Sequence, residues 1–197
     1  MTETMATLLI IQTGATEWQA DQRLGGTGKL PLSDAGETDL RQHLDALADR
    51  TLDAILADDS QAAQQTATLV ADRLGGKIRL IEDLRDVHMG LWEGMTEDEV
   101  RQRYPKVHRQ WRESPASVTP PEGEDFAAAF GRVVRAVHAA LRKQGTKRVA
   151  VVAAPMVAGL LRCWLTGCEL DGLWKQVDAS GPSAAYELNN GRPPQHS

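Results

Sequence analysis

Few residues in this sequence have side chains and spacings suited to catalysis or ligand binding, and the first of them is Thr13. It stands before Gly14, directly after an apolar run that ends at Gln12, and its hydroxyl could act as a nucleophile if a base lay beside it. Asp86 and His88, two residues apart, are the other candidates. They could serve as acid, base or metal ligands, but the sequence supplies no third ligand of the kind that a catalytic metal site needs. We therefore predict no metal and no cofactor.

Short apolar runs alternate with amphipathic helical patterns, and these elements must position the candidates. Near-continuous apolar runs are typical of strands buried on both faces, and four are predicted at residues 7–12, 53–57, 78–81 and 149–153. Capping residues and apolar stripes predict helices after Ser33, at 60–74, from Thr96 to Pro105, at 124–143 and at 156–166. The alternation predicts a three-layer α/β/α sandwich with a mostly parallel central sheet. Residues 114–123, rich in proline, are predicted to form a surface loop.

Composition and charge fit one globular domain over residues 1–197, with a flexible tail from about residue 190. A net charge of -5 without a basic tract disfavours nucleic acid and anionic membranes as partners. No apolar stretch approaches the roughly 20 residues of a membrane span, and the first residues show no leader pattern. Cys163 and Cys168 fall in one predicted helical region, so we expect both to be reduced. These features together predict a cytoplasmic protein.

Residues 8–18, which read LLIIQTGATEW, resemble the opening motif of the histidine phosphatase superfamily, the phosphoglycerate mutase-like proteins. That motif reads Leu-x-x-Arg-His-Gly-Glu-Thr-x-Trp. Six further segments resemble family motifs in the same order, at residues 23–26, 31–36, 62–67, 84–94, 104–132 and 151–157. The resemblance covers nearly the whole chain, and it implies the phosphoglycerate mutase-like fold in a single histidine-phosphatase-like domain.

The residues that carry the family's chemistry are replaced in this chain. In the family, one histidine attacks phosphorus, a second histidine and two arginines hold the phosphoryl oxygens, and a glutamate protonates the leaving group. The positions that match the nucleophile, its neighbouring arginine, the second arginine, the second histidine and the acid are Thr13, Gln12, Ala62, Ala154 and Asp86. A phosphoryl group in transfer spreads negative charge over its oxygens, and fixed donors and cations must meet that charge. The resemblance therefore predicts a pocket with no cation and one carboxylate.

Because the glycines and tryptophans of the frame match while the chemical residues do not, we predict a catalytically inactive member, a pseudoenzyme with a binding, regulatory or scaffolding role. Its partner would be a protein or a small non-phosphorylated ligand. One alternative is a phosphohydrolase or mutase that acts by an atypical mechanism through Thr13, Asp86 and His88. Another is a structural subunit of a homo-oligomer, formed as a homodimer through the region of Trp164 and Trp174. The predicted ligand-binding residues are Thr13, Gly14, Arg23, Asp86 and His88.

Several side chains near these motifs admit two interpretations. Arg23 either lines the mouth of the pocket or is solvated. Trp92 and Trp111 either frame a ligand or pack in the interior, and packing is favoured for Trp92. Arg85 is expected to be exposed, and His88 is expected to be partly exposed.

Overall fold

A five-stranded sheet forms the centre of the computed structural model, which describes residues 5–25, 30–144, 148–178 and 181–189. The strands are β1 (Met5–Gln12), β2 (Ala54–Ala57), β3 (Lys77–Leu80), β4 (Arg148–Ala153) and β5 (Ser183–Asn189). Their order across the sheet is β3-β2-β4-β1-β5, with the first four strands mutually parallel. Each of these four lies within two residues of its predicted position, so the mostly parallel sheet is confirmed.

The sequence pattern does not predict β5, which pairs antiparallel with β1 at one edge of the sheet. Among its residues only Leu188 is buried, and an edge strand of small and half-exposed residues shows no apolar run. The strand is attached where it begins, because the Gln12 N–H donates to the Pro182 carbonyl oxygen at 2.8 Å. The predicted tail at residues 190–197 lies outside the described residues.

Helices cover both faces of the sheet. They are α1 (Glu17–Ala20), α2 (Asp34–Asp45), α3 (Gln61–Leu74), α4 (Glu97–Arg103), α5 (Pro105–Glu113), α6 (Phe126–Gln144), α7 (Pro155–Thr166) and α8 (Leu173–Asp178). The predicted caps are present, since Ser33 accepts from the Gly36 N–H at 3.1 Å and Thr96 forms a capping box with Glu99. Pro105 begins α5 after α4 has ended at Arg103, because proline suits the first turn of a helix. Within the described ranges, no helix combines the length and the apolar character that crossing a membrane requires.

Alternate residues of the strands bury opposite faces, which produces the three layers. Leu8 and Ile10 of β1 pack in the core cluster formed with α6 and α7, whereas Leu9 and Ile11 pack in the cluster formed with α2 and α3. All four side chains are at most 3% exposed. The predicted α/β/α sandwich is therefore confirmed.

A third apolar cluster, around three tryptophans, lies beyond the sheet. The Trp111 ring contacts Trp92 and Trp174 edge-to-face at centroid distances of 5.4 Å and 4.6 Å. Trp92 is fully buried, so it is a packing residue, as the sequence favours. Trp164 instead packs with the α6–α7 cluster, so Trp164 and Trp174 do not belong to one apolar cluster. Different faces of α7 pack in different clusters, since Leu161 lies in the α6–α7 cluster and Leu160 lies in the tryptophan cluster. The homodimer through this region remains a prediction.

The predicted surface loop at 114–123 is only partly a surface feature. It contains a short 3-10 turn (Pro115–Ser117), and Pro115, Val118 and Pro120 are buried. Prolines shield apolar surface as well as breaking helices, and the composition alone does not distinguish these uses.

Both cysteines are free. Cys163 is buried within α7, and Cys168 follows Gly167, whose left-handed conformation (φ 68°) ends that helix.

Candidate functional site

Three neighbouring parallel strands end at the same edge of the sheet, and the residues that follow them form a site. Thr13 follows β1, Asp58 follows β2 and Ala154 follows β4. The Thr13 N–H donates to the carbonyl oxygen of Ala153 at 3.0 Å, which joins two of these ends. In open α/β sheets, ligands bind at the carboxyl ends of the strands, so this edge is the expected place for a ligand.

A cavity of about 150 Å³ opens at this edge, and we call it the front cavity. Of the five positions that match the family's chemical residues, four line it. Its lining comprises Thr13, Thr16, Trp18, Gln19, Gly25, Leu30, Asp58, Asp59, Ser60, Ala62, Arg85, Asp86 and Ala154. The structure therefore brings Thr13, Ala62, Asp86 and Ala154 together, although β1, α3, the 83–86 segment and β4 are far apart in the sequence.

Three other predicted residues lie outside the lining of the front cavity. Gln12 is outside the lining of the front cavity, and so is Gly14, whose N–H donates to the buried hydroxyl of Thr66 at 3.1 Å. The His88 side chain is 44% exposed, and its Nε2 lies 3.6 Å from Glu93. The predictions that Gly14 and His88 contact a ligand in this cavity therefore gain no support from their positions.

Arg23 lies beside the front cavity and lines a second cavity of about 220 Å³, which we call the side lobe. Its Nη1 donates to the Gly94 carbonyl oxygen at 2.8 Å, and its Nε lies 3.7 Å from Asp21. The Arg23 side chain therefore lines the side lobe and not the front cavity, and it is still 39% exposed. Trp111 also lines the side lobe, although it is only 1% exposed.

Two aspartates that sequence reasoning missed add negative charge to the front cavity. Asp58 and Asp59 connect β2 to α3, where Asp58 Oδ1 accepts from the Ser60 N–H at 2.6 Å and Ser60 caps the helix. Asp58 is 2% exposed, and burial raises the pKa of its carboxyl, with the neighbouring charge of Asp59 adding to the effect. The signal was present in the sequence, because polar residues directly after a buried parallel strand fall at the ligand-binding edge.

The predicted pocket with one carboxylate and no cation is wrong in both respects. Asp58, Asp59 and Asp86 all line the front cavity, and so does the guanidinium-bearing side chain of Arg85. Arg85 is 38% exposed and lies 3.6 Å from Asp83 and 4.0 Å from Glu124. It was expected to be simply exposed, but the backbone turn after the short 3-10 helix (Glu82–Leu84) places it at the cavity.

A buried arginine holds the segment that carries Asp86. Arg132 of α6 binds Glu124 with two hydrogen bonds of 2.9 Å and 2.7 Å, and it also donates to the carbonyl oxygens of Asp83 and Arg85 at 2.8 Å and 3.0 Å. Burial alone would raise the pKa of Glu124, but the hydrogen bonds and charge of Arg132 outweigh it and hold that pKa below its usual range. The clamp therefore fixes the backbone on both sides of Leu84, next to the pocket carboxylate.

Asp86 is the most perturbed carboxyl of the site. Burial raises its pKa to about 7, and repulsion from Asp58 and Glu93 acts in the same direction. A hydrogen bond from the Val87 N–H at 2.9 Å and the charge of Arg132 oppose the rise. Near neutral pH this group therefore exchanges between its acid and its carboxylate, which suits it to binding a cation or moving a proton.

The arrangement does not form a metal-binding group. Within the described ranges, no three His, Cys, Asp or Glu side chains converge in a way that could hold an ion.

Comparison with known proteins finds relatives along nearly the whole chain. The sequence model of the histidine phosphatase superfamily (branch 1) matches residues 8–188. Glucosyl-3-phosphoglycerate phosphatase of Mycolicibacterium vanbaalenii is 29% identical over 188 residues, covering 92% of this chain and 83% of the relative. Phosphoserine phosphatase 1 of Hydrogenobacter thermophilus is 25% identical over 170 residues, covering 86% and 81%. The solved structure of Bacillus stearothermophilus YhfR matches with a TM-score of 0.84 at 28% identity, covering 95% and 93%.

Proposed function

This chain belongs to the histidine phosphatase superfamily, and we propose that it has lost phosphoryl transfer and uses the family's pocket to bind a non-phosphorylated small molecule, in a regulatory or scaffolding role. One observation carries the proposal. Family members place two histidines and two arginines around the phosphoryl group, as the resemblance implies. In this chain the pocket has Thr13, Ala62 and Ala154 at the matching positions, together with three aspartates.

The first support is the absence of an imidazole from the nucleophile position. Thr13 offers a hydroxyl, which is a weak nucleophile unless a base removes its proton. Loss of a catalytic nucleophile costs on the order of 10⁴ to 10⁶ in turnover. That loss alone would leave a phosphatase with at most about one ten-thousandth of its turnover.

The second support is the sign of the charge around the ligand position. A charge-assisted hydrogen bond contributes about 1.5–3 kcal/mol, and the positions at 12, 62 and 154 no longer supply any. A phosphate dianion would instead meet Asp58, Asp59 and Asp86, with Arg85 as the one cation among the described residues that line the front cavity. Each carboxylate about 4 Å from a phosphate charge costs roughly 1 kcal/mol in water and about 4 kcal/mol at a protein surface.

A second candidate function is phosphohydrolase or mutase activity by an atypical mechanism. The relatives described above are named as phosphatases, and the pKa of Asp86 near 7 suits a proton-transfer group. In that mechanism the Asp86 carboxylate takes the proton of the Thr13 hydroxyl as its oxygen attacks phosphorus. Asp86 then returns the proton to the leaving oxygen, and water releases phosphate from Thr13. His88 would have to move to take part, because it lies outside the lining of the front cavity.

Hydrolysis of p-nitrophenyl phosphate between about pH 4 and pH 9 separates the two candidates. The native chain is compared with Thr13→Ala, with Asp86→Asn and with the restored variant Gln12→Arg/Thr13→His/Ala62→Arg/Ala154→His. We expect no turnover above background from the native chain or from either single variant. We expect the restored variant to bind inorganic phosphate and to show turnover.

Turnover by the native chain that both Thr13→Ala and Asp86→Asn abolish would establish the atypical mechanism and refute the proposal. Turnover that neither substitution changes would indicate a contaminating enzyme, which a second purification step removes. Binding of phosphate by the restored variant, measured by calorimetry, shows whether the frame still accepts the family's substrate group independently of turnover.

A further inference from the structure

The front cavity and the side lobe are parts of one continuous cleft, because Gln19, Gly25 and Asp86 line both. We propose that this cleft binds an organic amine, with its protonated nitrogen against Asp86 and its apolar group in the side lobe on Met156 and Trp174. The inference deepens the proposed function and depends on it, since it names the ligand class of the same pocket.

Among the described residues that line the cleft, carboxylates outnumber cations. Each guanidinium group that reaches the cleft already lies near a carboxylate, in the pairs Arg23–Asp21 at 3.7 Å, Arg85–Asp83 at 3.6 Å and Arg112–Asp178 at 3.2 Å. By contrast, Asp58, Asp59 and Asp86 form no salt bridge within the part of the chain that the structure describes. Asp59 is exposed, but Asp58 is buried and Asp86 is half-buried. Carboxylates that are withdrawn from water without a cationic partner are unfavourable, and a bound cation would relieve that cost at Asp58 and Asp86.

The side lobe is the part of the cleft that would hold the apolar group of the ligand. Apolar side chains form most of its wall, namely Leu24, Val87, Met89, Trp111, Pro155, Met156, Trp174 and Val177. A cavity of about 150 Å³ lined by apolar side chains is large enough for benzene, and the side lobe measures about 220 Å³. A six-membered ring or a short branched chain would therefore fit there.

Asp86 lies at the junction of the front cavity and the side lobe, because it lines both. An ammonium group at this junction would reach a carboxylate whose repulsion from Asp58 and Glu93 it relieves. The Trp174 ring already carries the guanidinium of Arg112 4.5 Å from its centroid, so its surroundings accept positive charge. A molecule with one cationic end and one apolar end satisfies both parts of the cleft at once.

Three probes of similar size and different charge test the proposal by calorimetry on the full chain. They are phenethylamine, phenethyl alcohol and phenyl phosphate. We expect phenethylamine to bind with a Kd of about 1 mM or tighter, as a well-fitted fragment can. We expect the alcohol to bind at least about tenfold more weakly, and phenyl phosphate not to bind.

Variants locate the bound probe. Asp86→Asn should weaken phenethylamine binding at least about tenfold while leaving the alcohol unchanged. Met156→Trp should fill the side lobe and weaken both probes. The exposed Asp39→Asn of α2 is the matched control and should bind phenethylamine like the native chain.

Proton release gives a readout that a structural role of Asp86 would not produce. Since its pKa lies at about 7, about half of the Asp86 groups are protonated at pH 7, and a bound ammonium would displace up to about half a proton per site. Titrations in two buffers with different ionisation enthalpies measure this release, which should vanish in Asp86→Asn.

The proposal is overturned if phenethylamine and phenethyl alcohol bind equally, if phenyl phosphate binds more tightly than either, or if no saturable binding of the amine is seen. Unchanged amine binding by Asp86→Asn would overturn it as well. Failure here is distinct from failure of the proposed function, because phosphatase turnover by the native chain and binding of the amine are measured independently.

Discussion

Replacing Asp86 with asparagine should stabilise the protein at alkaline pH and leave its stability nearly unchanged at acidic pH. Burial raises the pKa of this carboxyl from its usual 3.8 to about 7. The folded state therefore holds the proton more tightly than the unfolded chain does. As the pH rises between these two values, the unfolded chain loses its proton first, and the free energy of unfolding falls.

The size of the effect follows from the two pKa values. Each pKa unit corresponds to about 1.4 kcal/mol, so the ionised Asp86 destabilises the fold by up to about 4 kcal/mol above pH 7. The cost vanishes below about pH 4, where both states are protonated. Asparagine carries no charge at any pH, and its side-chain oxygen can still accept from the Val87 N–H, which donates to Asp86 at 2.9 Å.

Urea unfolding followed by tryptophan fluorescence measures the difference, since the chain contains five tryptophans. The native chain and Asp86→Asn are compared at about pH 4, 5, 6, 7 and 8, and the stability gained by the variant should grow with pH across this window. The control Asp39→Asn, at an exposed position of α2, should differ from the native chain by less than about 0.5 kcal/mol throughout. A gain that is equal at pH 5 and pH 8, or a loss at pH 8, would refute the account of Asp86 as a desolvated carboxylate.

Two further substitutions test the frame around the site, each by urea unfolding. Arg132→Met should lower the free energy of unfolding by about 3 kcal/mol or more, because it leaves the half-buried Glu124 without its bidentate partner. Arg101→Met, which breaks an exposed pair, should lower it by less than about 1 kcal/mol. Equal losses in the two variants would contradict the clamp. Gly36→Ala should lower the free energy of unfolding by about 1–3 kcal/mol, because its new methyl group would collide with the backbone of the segment after Thr13. The control Gly181→Ala, whose methyl group meets no atom within 4 Å, should leave the stability nearly unchanged. An unchanged stability of Gly36→Ala would show that this segment is free to shift.

The layers of the fold could be predicted from the sequence because they follow from local periodicity. Apolar runs marked β1, β2 and β4, and caps such as Ser33 and the Thr96–Glu99 pair marked helix starts. β3 was also located, although it carries Lys77 and Arg79 and its four residues are exposed rather than buried. β5 escaped prediction because an edge strand exposes half of its side chains and its stability comes from pairing with β1, a contact between residues nearly 180 positions apart. The split of the C-terminal tryptophans between two clusters depends on how α7 is rotated, which periodicity leaves open.

The residues of the candidate site could be predicted only where they match a position of a family motif. Thr13, Ala62, Asp86 and Ala154 were placed by their match to family positions, and all four line the front cavity. Asp58 lay outside every matched position, although it follows a buried strand. The prediction of a pocket poor in charge was wrong because a motif comparison counts the residues that are lost and overlooks those that the fold brings in.

The most direct test of the central claim is the intact mass of the protein after incubation with p-nitrophenyl phosphate. The account predicts an unchanged mass for the native chain, because Thr13 has no imidazole to form a phosphoryl adduct. It predicts an added phosphoryl group on the restored variant, at residue 13. A phosphoryl adduct on Thr13 of the native chain would contradict the claim and establish this protein as a phosphotransfer enzyme with a new nucleophile.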